Sequence, residues 1–167
     1  MKKLLFIWLV GVLVFLFESC SESRQVKYVF YFIGDGMGVN QVNGTEMYLA
    51  ERDSVIGVKG LSFASFPVRN YATTYSSYHG VTCSAAAGTA LATGEKTKNG
   101  TIGMDKEQKK PLYSVAVRAK EAGRKVGIMT SVGMNHATPA AFYGHQPRRT
   151  MYFELGKDAI RTGFDLY

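Results

Sequence analysis

The sequence predicts an α/β fold with a largely parallel sheet and helices on both of its faces. Residues 26–33 form a nearly continuous apolar run of β-branched and aromatic side chains, which is typical of a strand buried on both faces. Residues 112–132 indicate a helix, a tight turn at Gly123 and a strand, which together make the second half of a βαβ unit. Helical and extended patterns alternate along the rest of the chain, and no internal repeat interrupts them.

Glycine, proline and Asn-Gly positions predict where the individual helices and turns begin and end. Gly94 and Gly123 are expected to end two helices, Pro111 is expected to open one, and Asn99-Gly100 predicts a turn. The predicted helices are 41–51, 85–93, 112–122 and 150–161, the predicted strands are 26–33 and 125–132, and residues 164–167 begin a further strand.

The N-terminal residues predict export. Two lysines precede an apolar run over 4–17, so we predict a signal peptide at 1–19 and the folded portion at 20–167. Cys20 follows the small residue Ser19 and resembles the lipidation site of bacterial lipoproteins. We therefore expect the periplasm or cell envelope as the location, with a lipid anchor as the membrane contact. The alternatives are an ordinary thiol behind a plain cleavage site and an uncleaved anchor.

The excess of basic residues indicates which classes of partner the chain can bind. The formal net charge is +7, and basic side chains cluster at 106–110, 118–125 and 148–149. No aromatic residues interleave with them and no nucleic-acid motif is present, so we expect no nucleic-acid partner and a surface that attracts anionic substrates. With Cys20 lipidated, Cys83 is the only thiol left, so the core or metal ions must hold the exported fold together.

Two residues stand where chemistry is expected. Ser84 lies at the mouth of the alanine-rich helix predicted over 85–93, where unpaired backbone N–H groups can receive an anion. A serine there is either a helix cap or a nucleophile. Asp35 lies between two glycines just after the first predicted strand, at the sheet edge where α/β folds bind ligands. Its carboxylate suits a hard metal ion, and a turn aspartate that bonds its own backbone is the alternative.

Four blocks of sequence occur in one order between residues 26 and 149. They are Gly34-Asp35-Gly36-Met37-Gly38; Cys83-Ser84-Ala85-Ala86 with Thr89-Ala90 and Thr93-Gly94; Lys96-Thr97-Lys98-Asn99-Gly100; and Asn135-His136-Ala137-Thr138-Pro139-Ala140-Ala141-Phe142 with 145–149. Together these blocks resemble the alkaline phosphatase family. The resemblance implies hydrolysis of phosphate monoesters through a phosphoserine intermediate, with two zinc ions and one magnesium ion as cofactors.

The resemblance also implies a role for each matching residue. Ser84 matches the nucleophile, whose oxygen also binds a zinc ion. Asp35 matches the carboxylate that bridges a zinc ion and the magnesium, and Thr138 matches a hydroxyl ligand of the magnesium. Arg149 matches the arginine that holds two phosphate oxygens through its planar guanidinium, with the neighbouring Arg148 as the alternative.

Two positions depart from the common pattern of the family. His136 stands where some members have an aspartate that contacts the water shell of the magnesium and others have histidine, so we expect an altered magnesium site. Cys83 stands where many members have an aspartate that orients the arginine, so we expect Arg149 to be less constrained. A cysteine at this place also suggests a sulfatase, but the proline and arginine of the sulfatase modification motif are missing.

The zinc ligands set the limit of the resemblance. The family takes most of them from sequence beyond residue 167, and none of the three histidines here matches their positions. Because a catalytic zinc needs about three protein ligands, we expect the chain to be the N-terminal part of such an enzyme, inactive by itself and a homodimer only when complete. The alternatives are an inactive or phosphate-binding remnant lipoprotein and a phosphotransferase or phosphodiesterase of the same superfamily.

Overall fold

The computed structural model describes residues 26–167. Its contacts divide the chain into one unit at residues 1–34 and a second unit at residues 35–167. The predicted signal peptide at 1–19 and the lipidation site at Cys20 lie outside the described residues, so both stay predictions. Between residues 26 and 167, no helix combines the length and the apolar character that a bilayer span requires.

The first predicted strand is not observed as a buried strand. Residues 26–33 have no regular secondary structure, and the side chains of Phe30 and Phe32 are 79% and 88% exposed. The two rings stack on each other with their centroids 6.5 Å apart. A strand requires hydrogen-bonded neighbours, and no β-ladder involves residues 26–33 in the described part of the chain.

All four predicted helices are present in the second unit. The structure contains α1 at Val39–Arg52, a 3₁₀ helix at Ser62–Ser65, α2 at Ser84–Thr93, α3 at Val115–Glu121, α4 at Ala137–Ala140 and α5 at Tyr152–Arg161. Helix α2 ends as predicted, because Gly94 adopts a left-handed φ of +80° and donates its N–H to the Ala90 carbonyl at 2.9 Å.

Helix α3 begins later than predicted. Ser114 caps it, and the Ser114 hydroxyl oxygen accepts the Val117 N–H at 3.1 Å. Pro111 does not open the helix, because it forms an isolated antiparallel bridge with Met104. A serine cap that satisfies a free N–H group therefore sets the start of the helix.

The predicted parallel sheet is represented by a single bridge. Gly127 pairs in parallel with Leu166, and the flanking bonds join Ile128 N–H to Leu166 O at 3.0 Å and Asp165 N–H to Val126 O at 2.8 Å. These residues belong to the two segments predicted as strands at 125–132 and 164–167. The described residues contain no longer ladder.

The core of the second unit lies under the N-terminal half of α2. Gly88 on α2 lets α4 approach closely, since a Cβ at this position would lie 3.1 Å from the Ala141 Cβ and 3.5 Å from the Thr138 Cα. Ile102 and Leu155 are fully buried, and burying each contributes about 1.5–3 kcal/mol. The buried cluster consists of Ala85, Ile102, Ala137, Ala140, Tyr143, Leu155 and Phe164.

Candidate functional site

The two oxygens of the Asp35 carboxylate each accept a hydroxyl. Ser84 Oγ donates to Asp35 Oδ1 at 3.1 Å, and Thr138 Oγ1 donates to Asp35 Oδ2 at 2.7 Å. These residues come from three of the sequence blocks described above, and the structure brings them together in the second unit. A carboxylate with a hydroxyl on each oxygen presents a compact set of oxygen donors.

Glycines shape the turn that carries Asp35. Gly36 has a φ of +72°, a left-handed conformation that side chains other than glycine rarely adopt. The Gly38 N–H closes the turn on the Gly36 carbonyl at 3.1 Å, and α1 begins at Val39. The Asp35 side chain does not bond this turn, so the alternative of a turn aspartate that bonds its own backbone is not observed.

Ser84 is the first residue of α2, so of the two alternatives for this serine the helix cap is not observed. Cys83 occupies the cap position with extended backbone angles. The Ser84 hydroxyl is consequently not used for capping and reaches Asp35. Because α2 has ten residues and its first N–H groups lack partners within the helix, the Ser84 hydroxyl lies at the positive end of a helix dipole.

Thr138 lies on α4, directly before Pro139. Its hydroxyl bonds the carboxylate of a residue 103 positions earlier in the chain rather than its own backbone. The close packing of α4 on Gly88 of α2 holds Thr138 beside the N-terminal half of the helix that carries Ser84. A small residue at position 88 is therefore part of what assembles the site.

The Cys83 thiol lies near several backbone N–H groups. Partial burial raises the pKa of Cys83, but the N–H groups around Sγ outweigh burial and hold the pKa below its usual range. Those N–H groups belong to Ala86, Gly100 and Ala85, and the positive charge of Arg149 acts in the same direction. The Gly100 N–H reaches Sγ at 3.1 Å. This corner of the site therefore favours negative charge.

Arg149 and Arg148 differ in their surroundings. Arg149 is half-buried and donates its backbone N–H to the Gly100 carbonyl at 2.7 Å, whereas Arg148 is exposed. The charge of Arg149 acts on the thiol of Cys83, which directly precedes Ser84.

His136 lies two residues before Thr138 but takes no part in the Asp35 cluster. It is exposed, and its ring stacks on Tyr152 with centroids 5.7 Å apart. No hydrogen bond is recorded from its imidazole to Asp35, Ser84 or Thr138. The structure thus joins three of the predicted site residues, places Arg149 where its charge acts on Cys83, and leaves the imidazole of His136 apart.

The oxygen donors of Asp35 and Thr138 fit magnesium better than zinc. Carboxylate and hydroxyl oxygens are the ligands that magnesium prefers, and Asp35 and Thr138 supply both kinds. Zinc is usually held by imidazole and thiolate together with carboxylate. Across residues 26–167, no three His, Cys, Asp or Glu side chains converge on a common point that could hold a metal ion. The described residues therefore fit a magnesium ion in part and do not fit a zinc centre.

The structure also connects Asn99 to the site, although the sequence indicated only a turn there. Its side-chain oxygen accepts the Cys83 N–H at 3.2 Å, and its side-chain nitrogen donates to the Val81 carbonyl at 3.0 Å. An asparagine side chain that satisfies a distant loop leaves no local pattern in the sequence. The only available signal was that Asn99 belongs to one of the four blocks.

A family model, curated relatives and solved structures all match this chain to the same family. The family model described as alkaline phosphatase matches residues 26–164. Alkaline phosphatase 4 of Bacillus subtilis is 36% identical over 134 residues, which are 77% of this chain and 28% of that protein. The crystal structure of a cold-active alkaline phosphatase from a psychrophilic Shewanella superposes with a TM-score of 0.71 and 34% identity, covering 80% of this chain and 33% of that one.

A further solved structure bears on metal binding. A histidine-to-aspartate variant of the alkaline phosphatase from the Antarctic bacterium TAB5, with magnesium bound, has a TM-score of 0.54 and 32% identity over 56% of this chain and 27% of that one. The likeness to these structures assigns the chain to the α/β class. The chain spans about a quarter to a third of the length of the relatives it matches.

Proposed function

Because the chain belongs to the alkaline phosphatase family, we propose that it carries the nucleophile of a metal-dependent phosphomonoesterase. The observation that supports this most is the pair of hydrogen bonds on Asp35, which joins the hydroxyls of Ser84 and Thr138 on one carboxylate. In the proposed reaction, Ser84 Oγ attacks the phosphorus of a phosphate monoester and forms a phosphoserine. The P–O bond to the alcohol breaks, and the leaving oxygen takes up the proton that Ser84 loses. Water then hydrolyses the phosphoserine, which releases phosphate and returns a proton to Ser84 Oγ.

Asp35 would orient the nucleophile. A serine hydroxyl attacks poorly near neutral pH unless a neighbouring group polarises it. The bond to Asp35 Oδ1 fixes the direction of the Ser84 proton and leaves a lone pair of Oγ available for phosphorus. The positive end of the α2 dipole would favour the negative charge of the phosphate, as helix N-termini do for anions in other proteins.

Arg149 would bind the phosphate. A guanidinium gives two parallel hydrogen bonds to two phosphate oxygens and offsets the charge that spreads over them during transfer. Its backbone bond to Gly100 fixes the start of the side chain, and its half-buried position limits competition from water. We therefore assign the clamp to Arg149 rather than to the exposed Arg148.

Asp35 and Thr138 would hold a magnesium ion. Bound there, magnesium would supply positive charge that offsets the negative charge of the phosphoryl group. His136 would lie in its outer surroundings, because its ring packs on Tyr152 instead of the carboxylate. Two zinc ions remain part of the proposal for the whole enzyme through the family resemblance. Residues 26–167 do not supply their donor set.

The proposal also covers the parallel sheet, the cellular location and the oligomeric state. We propose that residues 125–132 and 164–167 are neighbouring strands of a parallel sheet, which the bridge between Gly127 and Leu166 supports. The predicted export signal, the lipid anchor at Cys20 and a homodimer of the complete enzyme remain proposals. Phosphate monoesters are the proposed substrates, in keeping with the net charge of +7.

The nucleophile assignment is tested on the protein isolated from its native source, at the full length that the cell produces. Hydrolysis of p-nitrophenyl phosphate is measured with zinc and magnesium, and the Ser84 peptide is examined for phosphate by mass spectrometry. We expect turnover and phosphorylation that both disappear in Ser84→Ala and persist in Ser65→Ala, an exposed serine that bonds only the Ser62 carbonyl. Turnover that Ser84→Ala leaves intact would remove the nucleophile assignment.

A second candidate is an inactive or phosphate-binding remnant lipoprotein. It needs only groups that bind phosphate, and the charge of Arg149 near Cys83 at the start of α2 would supply one. It predicts that the native protein does not turn over phosphate monoesters although it retains phosphate. For the 167-residue chain alone we expect no turnover under either candidate. Turnover of a phosphate diester in preference to a monoester would instead indicate a phosphodiesterase of the same superfamily.

A further inference from the structure

A tight turn at Asn99-Gly100 bonds two segments of the site that lie far apart in sequence. On one side, the Asn99 carboxamide accepts the Cys83 N–H at 3.2 Å and donates to the Val81 carbonyl at 3.0 Å. It therefore bonds the backbone on both sides of Thr82, directly before Ser84. A single side chain that serves as both donor and acceptor fixes the position of that backbone more firmly than one bond would.

Gly100 extends the connection to the second segment. Its N–H donates to Cys83 Sγ at 3.1 Å, and its carbonyl accepts the Arg149 N–H at 2.7 Å. Its φ of +87° lies in the left-handed region, so the direction of both groups depends on a conformation that glycine adopts without strain. Two adjacent residues thus contact the backbone before Ser84 and the backbone of Arg149.

The turn is itself held against α2. The Gly103 N–H donates to Thr89 Oγ1 at 3.0 Å, and Thr89 is fully buried. Ile102 pairs with Gln146 through bonds of 3.0 and 2.9 Å, which joins the same segment to the chain before Arg149. These bonds attach the segment that follows the turn to the helix that begins at Ser84.

We propose that Asn99 and Gly100 are positioning residues that set the placement of Ser84 relative to Arg149. The inference rests on the proposed roles of those two residues in phosphoryl transfer. Such transfer depends on the placement of nucleophile and charge, and a displacement of about 1 Å can reduce the rate about 100-fold. In this chain the contact passes through backbone and the Cys83 thiol, so it does not need a carboxylate before the nucleophile.

The first test is amide hydrogen exchange, measured by NMR on the full chain. Asn99→Ala removes both side-chain bonds, whereas Asn99→Asp keeps the acceptor for the Cys83 N–H and loses the donor to Val81. We expect the Cys83 amide to exchange at least tenfold faster in Asn99→Ala and close to the original rate in Asn99→Asp. The Leu155 amide, which bonds the Met151 carbonyl at 3.0 Å in α5, serves as the reference for global opening.

Matched variants separate positioning from stability. Asn43→Ala removes an exposed asparagine from α1 whose side chain contacts only Met47, and we expect no change at Cys83. Gly94→Ala and Gly100→Ala introduce similar strain, because both glycines have left-handed φ angles and open space where the Cβ would lie. We expect only Gly100→Ala to speed exchange of the Arg149 amide relative to Leu155. Equal acceleration of Arg149 and Leu155 in both glycine variants would overturn the inference.

The second test is turnover by the native protein. We expect Asn99→Ala to lower kcat for p-nitrophenyl phosphate about 100-fold with little change in KM, and Asn99→Asp to recover part of that loss, because it restores only the bond to the Cys83 N–H. A kcat within twofold of the original in Asn99→Ala would contradict the inference. If the unmodified protein shows no turnover, the proposed function fails, and hydrogen exchange alone then decides whether the turn positions the two segments.

Discussion

Ser84 donates its hydroxyl proton to Oδ1 of Asp35 over 3.1 Å, between residues 49 positions apart in the chain. The bond is possible because Cys83, not Ser84, caps α2, which leaves the serine hydroxyl to reach outward. The other carboxylate oxygen is occupied by Thr138. One side chain therefore orients the proposed nucleophile and gathers the proposed magnesium donors.

Replacing Asp35 by asparagine is expected to remove magnesium binding and turnover together. Asparagine keeps the shape of the side chain but loses the negative charge that a hard cation requires. We expect magnesium affinity in Asp35→Asn to fall at least tenfold, measured by calorimetric titration of the chain. Asp53→Asn is the control, because Asp53 forms only exposed ion pairs with Arg52 and Lys59. Unchanged magnesium affinity in Asp35→Asn would exclude Asp35 as a ligand.

Thr138→Val is expected to weaken magnesium binding without unfolding the chain. Valine has nearly the same shape as threonine but cannot donate to Asp35 Oδ2 or offer an oxygen to a metal. Loss of such a partner typically reduces metal affinity about 10- to 100-fold. The same titration measures this, with Thr45→Val in α1 as the control, since Thr45 bonds only the Gln41 carbonyl. Equal affinities in the two variants would argue against a role for Thr138.

Gly103→Ala is expected to destabilise the fold severely. A Cβ at this position would lie 1.9 Å from the Gly144 carbonyl oxygen, and the φ of +55° disfavours side chains as well. We expect a loss of about 4 kcal/mol or more in the free energy of unfolding, measured by urea denaturation. Gly123→Ala has a similar φ of +76° but open space around the new Cβ, so only the backbone cost of about 1–2 kcal/mol should appear. Similar losses in both variants would show that the contact with Gly144 is relaxed at little cost.

Asp165 makes stability depend on pH. Hydrogen bonds from the Lys120 side chain, the Val126 N–H and the Lys125 side chain hold its pKa well below the usual range, although partial burial opposes them. A carboxyl whose pKa is lowered on folding stabilises the folded state above its unfolded pKa of about 4, and this contribution disappears as pH falls through the folded pKa.

Asp165→Asn should therefore lower the melting temperature at pH 7, and the gap to the unmodified chain should narrow steadily below pH 4. Thermal melts at a series of pH values measure this. Glu107→Gln should show almost no gap at any pH, because Glu107 forms only an exposed pair with Lys106 at 3.7 Å. A gap for Asp165→Asn that does not change with pH would contradict the explanation.

The sequence predicted an element correctly where the residues that determine it lie close together in the chain. Helix α2 and its end at Gly94 follow from alanine-rich sequence and a glycine stop, both of which act within one turn. The strand at 26–33 depends on hydrogen-bonded neighbours that no local pattern specifies, and no ladder involves it in the described residues. Helix α3 shows a competition between signals, since the Ser114 cap determined its start rather than Pro111.

The residues of the candidate site likewise fall into those that the sequence predicted and those that depend on long-range contacts. Asp35, Ser84 and Thr138 could be predicted because they lie in recognisable blocks, and the structure brings them together. The part played by Asn99 could not be predicted, because its partners at Val81 and Cys83 are distant in sequence and offer only backbone groups. The stacking of His136 on Tyr152 likewise depends on where α5 packs.

The hydrogen bond between Thr138 and Asp35 also bears on how the protein folds. It closes a loop of 103 positions, so it cannot form during synthesis until residue 138 has left the ribosome. Contacts of such long sequence separation require a large loss of chain entropy and tend to form slowly. The neighbourhood of Asp35 is therefore expected to be among the last regions of the second unit to mature, and a probe placed there would report the completion of folding rather than its onset.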